Sequence, residues 1–289
     1  MHAIPLIKEA DATDEGVREA FREIKNSLRI PVVNLLFQSY AATPKFLEIA
    51  WRRLRPSVLT GQFGQQALQV GSIAERGVSA WNVRDHTVLL RARGLGIAEI
   101  RRMREIVDLF RLVNPKLLII AEAVDLVLHG ESINGTGNAG PSHDHHYGHG
   151  VKEFRAIPLL MVEERDWPPR VRAIYDEMRP AFGSSFISNE YRAMSTYPDW
   201  LEVWWKDCKA YLADPHYSTM ENEIREAGRV AAKALPHRFI LSDELLERNN
   251  IDSGKREELL RSNAVFLHLL PQLIINMEIA RHGLGAEPA

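Results

Sequence analysis

The sequence predicts an all-α fold. Apolar residues recur at spacings of three and four, prolines stand where helices would begin, and a long apolar run follows Pro115, whereas the strict alternation of a half-buried strand is rare. The first predicted helix covers 17–28, VREAFREIKNSL, in which Val17, Ala20, Phe21, Ile24 and Leu28 make one apolar stripe with charged residues opposite. A second begins at Pro44, because a proline in the first turn forfeits an N–H that would have no helical partner, and Thr43 is a good preceding cap. After Pro115 the run LLIIAEAVDLVL is long enough for a buried helix.

The second half repeats this series. VRAIYDEMRPAF at 171–182 carries Val171, Ile174, Tyr175, Met178 and Phe182 at helical spacing, and Pro198 opens a further helix. Trp200, Trp204 and Trp205, with Phe46 and Trp51 in the first half, fall beside Leu201 and Val203 and are expected in the core rather than on a platform for sugars or bases. His268 is expected to be an interior histidine with a hydrogen-bond partner.

These resemblances are ordered. At an offset of 154, Pro44 falls on Pro198, Leu47 on Leu201, Glu48 on Glu202 and Trp51 on Trp205; LFRLVNPKLLIIAEAV at 109–124 then matches VFLHLLPQLIINMEIA at 265–280 at an offset of 156. AIPL at 3–6 likewise recurs at 156–159. Blocks in constant order and nearly constant spacing mark an internal repeat. The expected organisation is a helical repeat over 1–130, a linker over 131–155 and a second repeat over 156–289, packed as a pseudo-dimer within one chain. The seam between such halves is a usual place for a pocket.

With 45% hydrophobic and 26% charged residues, the 289-residue chain reads as soluble and globular, and a net charge of −2 gives no electrostatic reason to expect nucleic acid or an anionic membrane as partner. One cysteine, Cys208, permits no internal disulfide, and the N-terminal residues lack the pattern of a signal peptide, so the expected location is cytoplasmic. Exposed helix faces leave a homodimer open. The linker holds His143, His145, His146 and His149 with Asp144, enough to take up a metal adventitiously, but a glycine-flanked connector lacks the fixed surroundings of a catalytic metal site, and none is expected.

Where two copies of a unit share a residue type, packing explains it most simply. Where one departs toward polarity, a task specific to that half becomes the natural hypothesis. Four pairs depart: Leu36 opposite Glu190, Leu35 opposite Asn189, Asn34 opposite Ser188, and, in the other direction, Asn114 opposite Leu270. If a helix begins near Ser188, its hydroxyl and the first-turn N–H groups favour a bound carboxylate. The same terminus favours an ionised Glu190, while Phe186, Ile187 and nearby rings raise its pKa. An ionised carboxylate with few water neighbours is a competent general base. The competing reading makes Ser188 a plain cap, Glu190 an exposed first-turn acid, and Asn114 a helix cap before Pro115.

The ordered set IPVVNLLFQSYAATPKFLEIAWRRLRP, then VNPKLL, then SNEYRAMSTYPDWLEVWWKDCK, inside a duplicated arrangement, resembles the DehI family, the group I 2-haloacid dehalogenases that accept D and L substrates. The resemblance implies an all-α pseudo-dimer with its site between the repeats and neither metal nor organic cofactor. It implies a reaction in which a carboxylate activates water, which attacks C2 and expels halide with inversion and no ester intermediate. It places Glu190, with Asn189, as the catalytic pair where the family has Ser-Asp. Substrate-binding roles fall on Phe37, Tyr40, Asn114, Ser188 and Phe266. Phe37 replaces a family tryptophan and Phe266 lacks the hydroxyl of a family tyrosine. The expected ligand is a small anionic 2-halocarboxylic or related 2-substituted acid; the alternative is a non-catalytic pocket protein of the same fold that binds such an acid.

Overall fold

The computed structural model describes residues 4–139 and 159–285, which form twelve α-helices and, in place of a sheet, one isolated bridge between Ile133 and Phe239. The first six are α1 (Glu15–Leu28), α2 (Leu35–Tyr40), α3 (Pro44–Val58), α4 (Gly61–Ser79), α5 (Thr87–Ala92) and α6 (Ile97–Leu128). The second six are α7 (Pro169–Ala181), α8 (Asn189–Met194), α9 (Pro198–Leu212), α10 (Pro215–Lys233), α11 (Asp243–Arg248) and α12 (Ser253–Gly283). Their lengths run 14, 6, 15, 19, 6 and 32 residues in the first series and 13, 6, 15, 19, 6 and 31 in the second.

The stripes read from periodicity face inward: Val17, Ala20, Phe21, Ile24 and Leu28 of α1 are buried, as are Val171, Ile174, Tyr175 and Met178 of α7. Asp14 starts α1 by accepting a hydrogen bond from the Val17 N–H. Pro44 and Pro198 stand at the first turns of α3 and α9, although Thr43 makes no side-chain cap bond. Trp200 and Trp204 are fully buried, with Trp51, Trp205 and Phe46 beside them in the core.

α6 and α12 form the centre, sharing the most extensive helix contact in the molecule, with α4 and α10 packed on both. The short helices cross over: α2 of the first series packs on α12, and α8 of the second packs on α6. α6 runs unbroken through Pro115, so Asn114 lies inside a helix and caps nothing. An interior proline costs about 3 kcal/mol. Burial of Leu117, Leu118, Ile119 and Ile120, at roughly 1.5–3 kcal/mol each, outweighs that cost. α12 likewise continues through Pro271, and although it is long and apolar enough to cross a membrane, most of its apolar stretch is buried within the protein.

Two glutamates at matching places are hidden in this centre, each held by arginine. Glu122 pairs with Arg229 at 3.3 Å; Glu278 pairs with Arg111 and Arg281, both at 2.5 Å. The described beginning of the 131–155 segment is largely exposed but is tied to the fold at Ile133. Ile133 is buried and exchanges backbone hydrogen bonds with Phe239, and Gly135, at φ +82°, runs so close to the 236–238 backbone that a Cβ would lie 2.8 Å from the Pro236 carbonyl oxygen. The four linker histidines, Asp144 and most of the second AIPL block lie outside the described residues. His268 is on the surface rather than in the interior, its ring nitrogen near the Phe182 carbonyl oxygen at 3.2 Å.

Candidate active site

α8 is a single short helix whose orientation is fixed from several sides. The Tyr191 ring stacks on Phe182 with centroids 5.3 Å apart and lies 5.4 Å from the ring of Trp204. Its hydroxyl accepts a hydrogen bond from Asn276 Nδ2 at 2.8 Å, and its carbonyl accepts one from the Tyr175 hydroxyl at 2.8 Å. Successive residues of a helix project about 100° apart. With Tyr191 anchored in the second-half core, Glu190 is turned toward α6.

There Glu190 lines a cavity of about 30 Å³, room for one or two waters, which widens to about 340 Å³ of unfilled space when its mouth is included. The lining comes from both series of helices: Asn34, Leu35 and Leu36 around α2, Asn114 and Leu117 on α6, Phe186 and 188–190 around α8, and Phe266, Leu269, Leu270 and Leu273 on α12. All eight residues of the four polarity-divergent pairs are in this set.

Glu190 is 3% exposed, and burial raises its carboxyl to about 7, opposed by its own backbone N–H and by the Asn114 amide, which favour the ionised form. Unlike Glu122 and Glu278, it has no arginine or lysine partner among the described residues. Asn114, 0% exposed, lies close enough to influence that carboxyl, yet neither of its polar atoms completes a hydrogen bond; the same holds for both polar atoms of Asn189. Ser188 occupies the N-cap position of α8 without a side-chain cap bond. Buried amides are ordinarily satisfied, and here the side chains of Asn114 and Asn189 and the Oδ1 of Asn34 leave hydrogen-bonding capacity beside an unpaired acid.

Phe266 joins the wall, its ring centroid 5.9 Å from that of Phe186. Phe37 and Tyr40, expected to enclose the same pocket, are not in its lining. Phe37 projects from α2 toward α3, edge-on to Trp51 at 5.8 Å. Tyr40 is a turn beyond Leu36, and its hydroxyl donates to Asn263 Oδ1 at 2.6 Å, tying α2 to α12. Both are core residues. Conversely, Leu117, Leu269 and Leu273 line the cavity without being singled out by sequence, since nothing distinguishes a cavity leucine from its neighbours on a buried helix. Asn34, which stood among the divergent pairs without an assigned role, lines the cavity too.

A larger cavity, about 80 Å³, lies around Lys116, Arg111, Glu75 and Glu278. Arg111 and Glu278 satisfy each other, and no unpaired acid faces it, so general-base chemistry is better served beside Glu190. No group of three or more histidine, cysteine or acidic side chains able to hold a metal occurs among the described residues.

Comparison with known proteins agrees in kind. The family model described as halocarboxylic acid dehydrogenase DehI matches residues 31–191, more than half the chain. The chain is 27% identical to an (R)-2-haloacid dehalogenase of Pseudomonas putida over 91% of its own length and 87% of that relative's. It is 26% identical to a configuration-inverting 2-haloacid dehalogenase of Pseudomonas sp. (strain 113), over 73% and 69% respectively. A solved D-2-haloacid dehalogenase mutant in complex with D-2-CPA superimposes with a TM-score of 0.88 at 25% identity, over 98% of this chain and 96% of that one.

Proposed function

The chain belongs to the DehI family, and from that premise we propose that it is a hydrolase that removes halide from small 2-halocarboxylic acids, with Glu190 as the general base. The observation that carries the reading is one buried carboxylate, raised to about 7 and without a cationic partner, beside the open amide of Asn114 in a cavity large enough for water.

In this reading Asn189 and Ser188 receive the substrate carboxylate, and Glu190 and Asn114 hold the water between them. As the water oxygen bonds to C2, Glu190 takes its proton. The carbon–halogen bond breaks on the opposite face and halide departs with the bonding pair along the wall of Phe186, Phe266 and Leu273. C2 inverts, and the proton passes from Glu190 to solvent. No step calls for a metal or an organic cofactor. Desolvation raises the basicity of the carboxylate, and a pKa near the working pH suits a general base.

The organisation we propose is an internal duplication, 1–130 and 156–289, joined by 131–155 and packed as a pseudo-dimer with the site between its halves. The near-equal helix lengths in the two series and the reciprocal crossing of α2 onto α12 and α8 onto α6 support it. Duplication accounts for the layout of base and amide partner: at each of the two positions one half carries the polar residue and the other a leucine.

Chloride release from racemic 2-chloropropionate tests the proposal, with Glu190→Gln alongside. Release by wild type that is lost in Glu190→Gln is expected. A silent wild type that gains activity as Glu190→Asp would instead favour a protein that binds small organic acids without turning them over.

A further inference from the structure

Asn34 precedes α2 at the N-cap, with φ −68° and ψ 153°, the extended geometry from which an asparagine side chain ordinarily accepts a hydrogen bond from the first turn. It makes no such bond. Instead the residue is 5% exposed, lines the Glu190 cavity, and leaves its buried Oδ1 without a partner. Its neighbours on that wall, Leu35 and Leu36, offer nothing polar. A buried amide oxygen that forgoes its available cap is costly to keep, unless the cavity's occupant completes it.

The chemistry of that occupant follows from what an amide oxygen needs, a hydrogen-bond donor. Neither a substrate carboxylate nor a halide supplies one. The base and its amide partner come from α8 and α6, whereas Asn34 enters from α2, so it meets a different part of the bound acid. We propose that Asn34 determines substrate specificity and that the preferred substrates are 2-haloacids with a hydroxyl on the carbon next to C2. A hydroxyl both donates and accepts, so it satisfies the amide in either orientation of its oxygen and nitrogen. The proposal rests on the dehalogenase reading above and names its substrate class.

The test compares chloride release from racemic 2-chloro-3-hydroxypropionate with release from 2-chlorobutyrate, in which a methyl replaces the hydroxyl, after subtraction of release by Glu190→Gln. Wild type is expected to favour the hydroxylated acid by about tenfold or more in kcat/KM, the scale of one well-formed hydrogen bond. In Asn34→Leu that ratio falls to about one or below; Asn34→Ala provides the same comparison should the leucine variant fail to fold. Equal rates in wild type, or a preference that survives both variants, overturn the role of Asn34 while leaving dehalogenation intact. Failure to release chloride from either acid or from 2-chloropropionate overturns the dehalogenase reading itself.

Discussion

Glu190 on α8 and Asn114 on α6 meet at one cavity from opposite halves of the chain, an unpaired acid beside an amide with no hydrogen bond of its own. Each occupies a position at which the other half carries leucine, Leu36 and Leu270, and both leucines line the same space. The polar groups at this one cavity thus come from both halves of the chain, each facing a leucine of the other.

The pH dependence follows from the raised carboxyl. A general base acts in its ionised form, so with Glu190 near 7, kcat/KM should rise about tenfold per pH unit well below that value and level off above it. A plateau already reached near pH 5 in the wild type would assign the limiting ionisation elsewhere.

Stability should run the opposite way. The folded carboxyl binds its proton more tightly than the unfolded one, so burial of Glu190 is most favourable when it is neutral, and stability falls as pH rises from about 4.5 through 7, by roughly 3 kcal/mol in total. Denaturant titrations at pH 5 and 8 should show Glu190→Gln lacking this decline and exceeding wild type at the higher pH. Parallel pH profiles for the two proteins would contradict the buried, cation-free setting.

Asn114→Leu should separate catalysis from folding. Misplacing the attacking water costs on the order of a hundredfold in kcat, while removal of two unsatisfied buried polar atoms should leave the thermal midpoint equal to or above that of wild type. A large drop in midpoint with little change in kcat would make Asn114 a structural residue.

Glu190→Asp retracts the carboxylate by one methylene from a backbone positioned for glutamate. About a hundredfold loss in kcat/KM is expected from a shift of that size, against a larger loss in Glu190→Gln. Near-wild-type rates with aspartate would mean that the helix tolerates both reaches.

Tyr40→Phe tests the reassignment of that ring to the core. Loss of the hydroxyl leaves Asn263 Oδ1 buried without its 2.6 Å donor, at a cost of about 1–3 kcal/mol in stability. The accompanying change in kcat/KM should be smaller than that of Asn114→Leu; the reverse order would return Tyr40 to the substrate wall.

Much of this was legible without coordinates, for identifiable reasons. Long helices declare themselves because a period of 3.6 must be satisfied over many turns, as in α1, α7 and the centre of α6 and α12. The site showed itself only by difference, since Leu36, Leu35, Ser188 and Leu270 become informative when set against their counterparts. Phe37 and Tyr40 were placed at the pocket by motif position alone, and a helix of six residues has too few turns to check from its own sequence which face they occupy. Asn34 was visible only as the partner of Ser188 among the divergent pairs, and its unmade cap bond and open Oδ1 appear only in the structure. The continuation of α6 past Pro115 depended on burial along its whole length, a tertiary effect that local propensity opposes.

The central claim, that Glu190 delivers water to C2 instead of attacking it, is tested most directly by a single turnover of 2-chloropropionate in H₂¹⁸O with enzyme in excess. The account predicts heavy oxygen in the hydroxyl of the first product molecules and none in the Glu190 carboxylate. First-turnover product carrying light oxygen, with the heavy oxygen left in the Glu190 carboxylate, would contradict it.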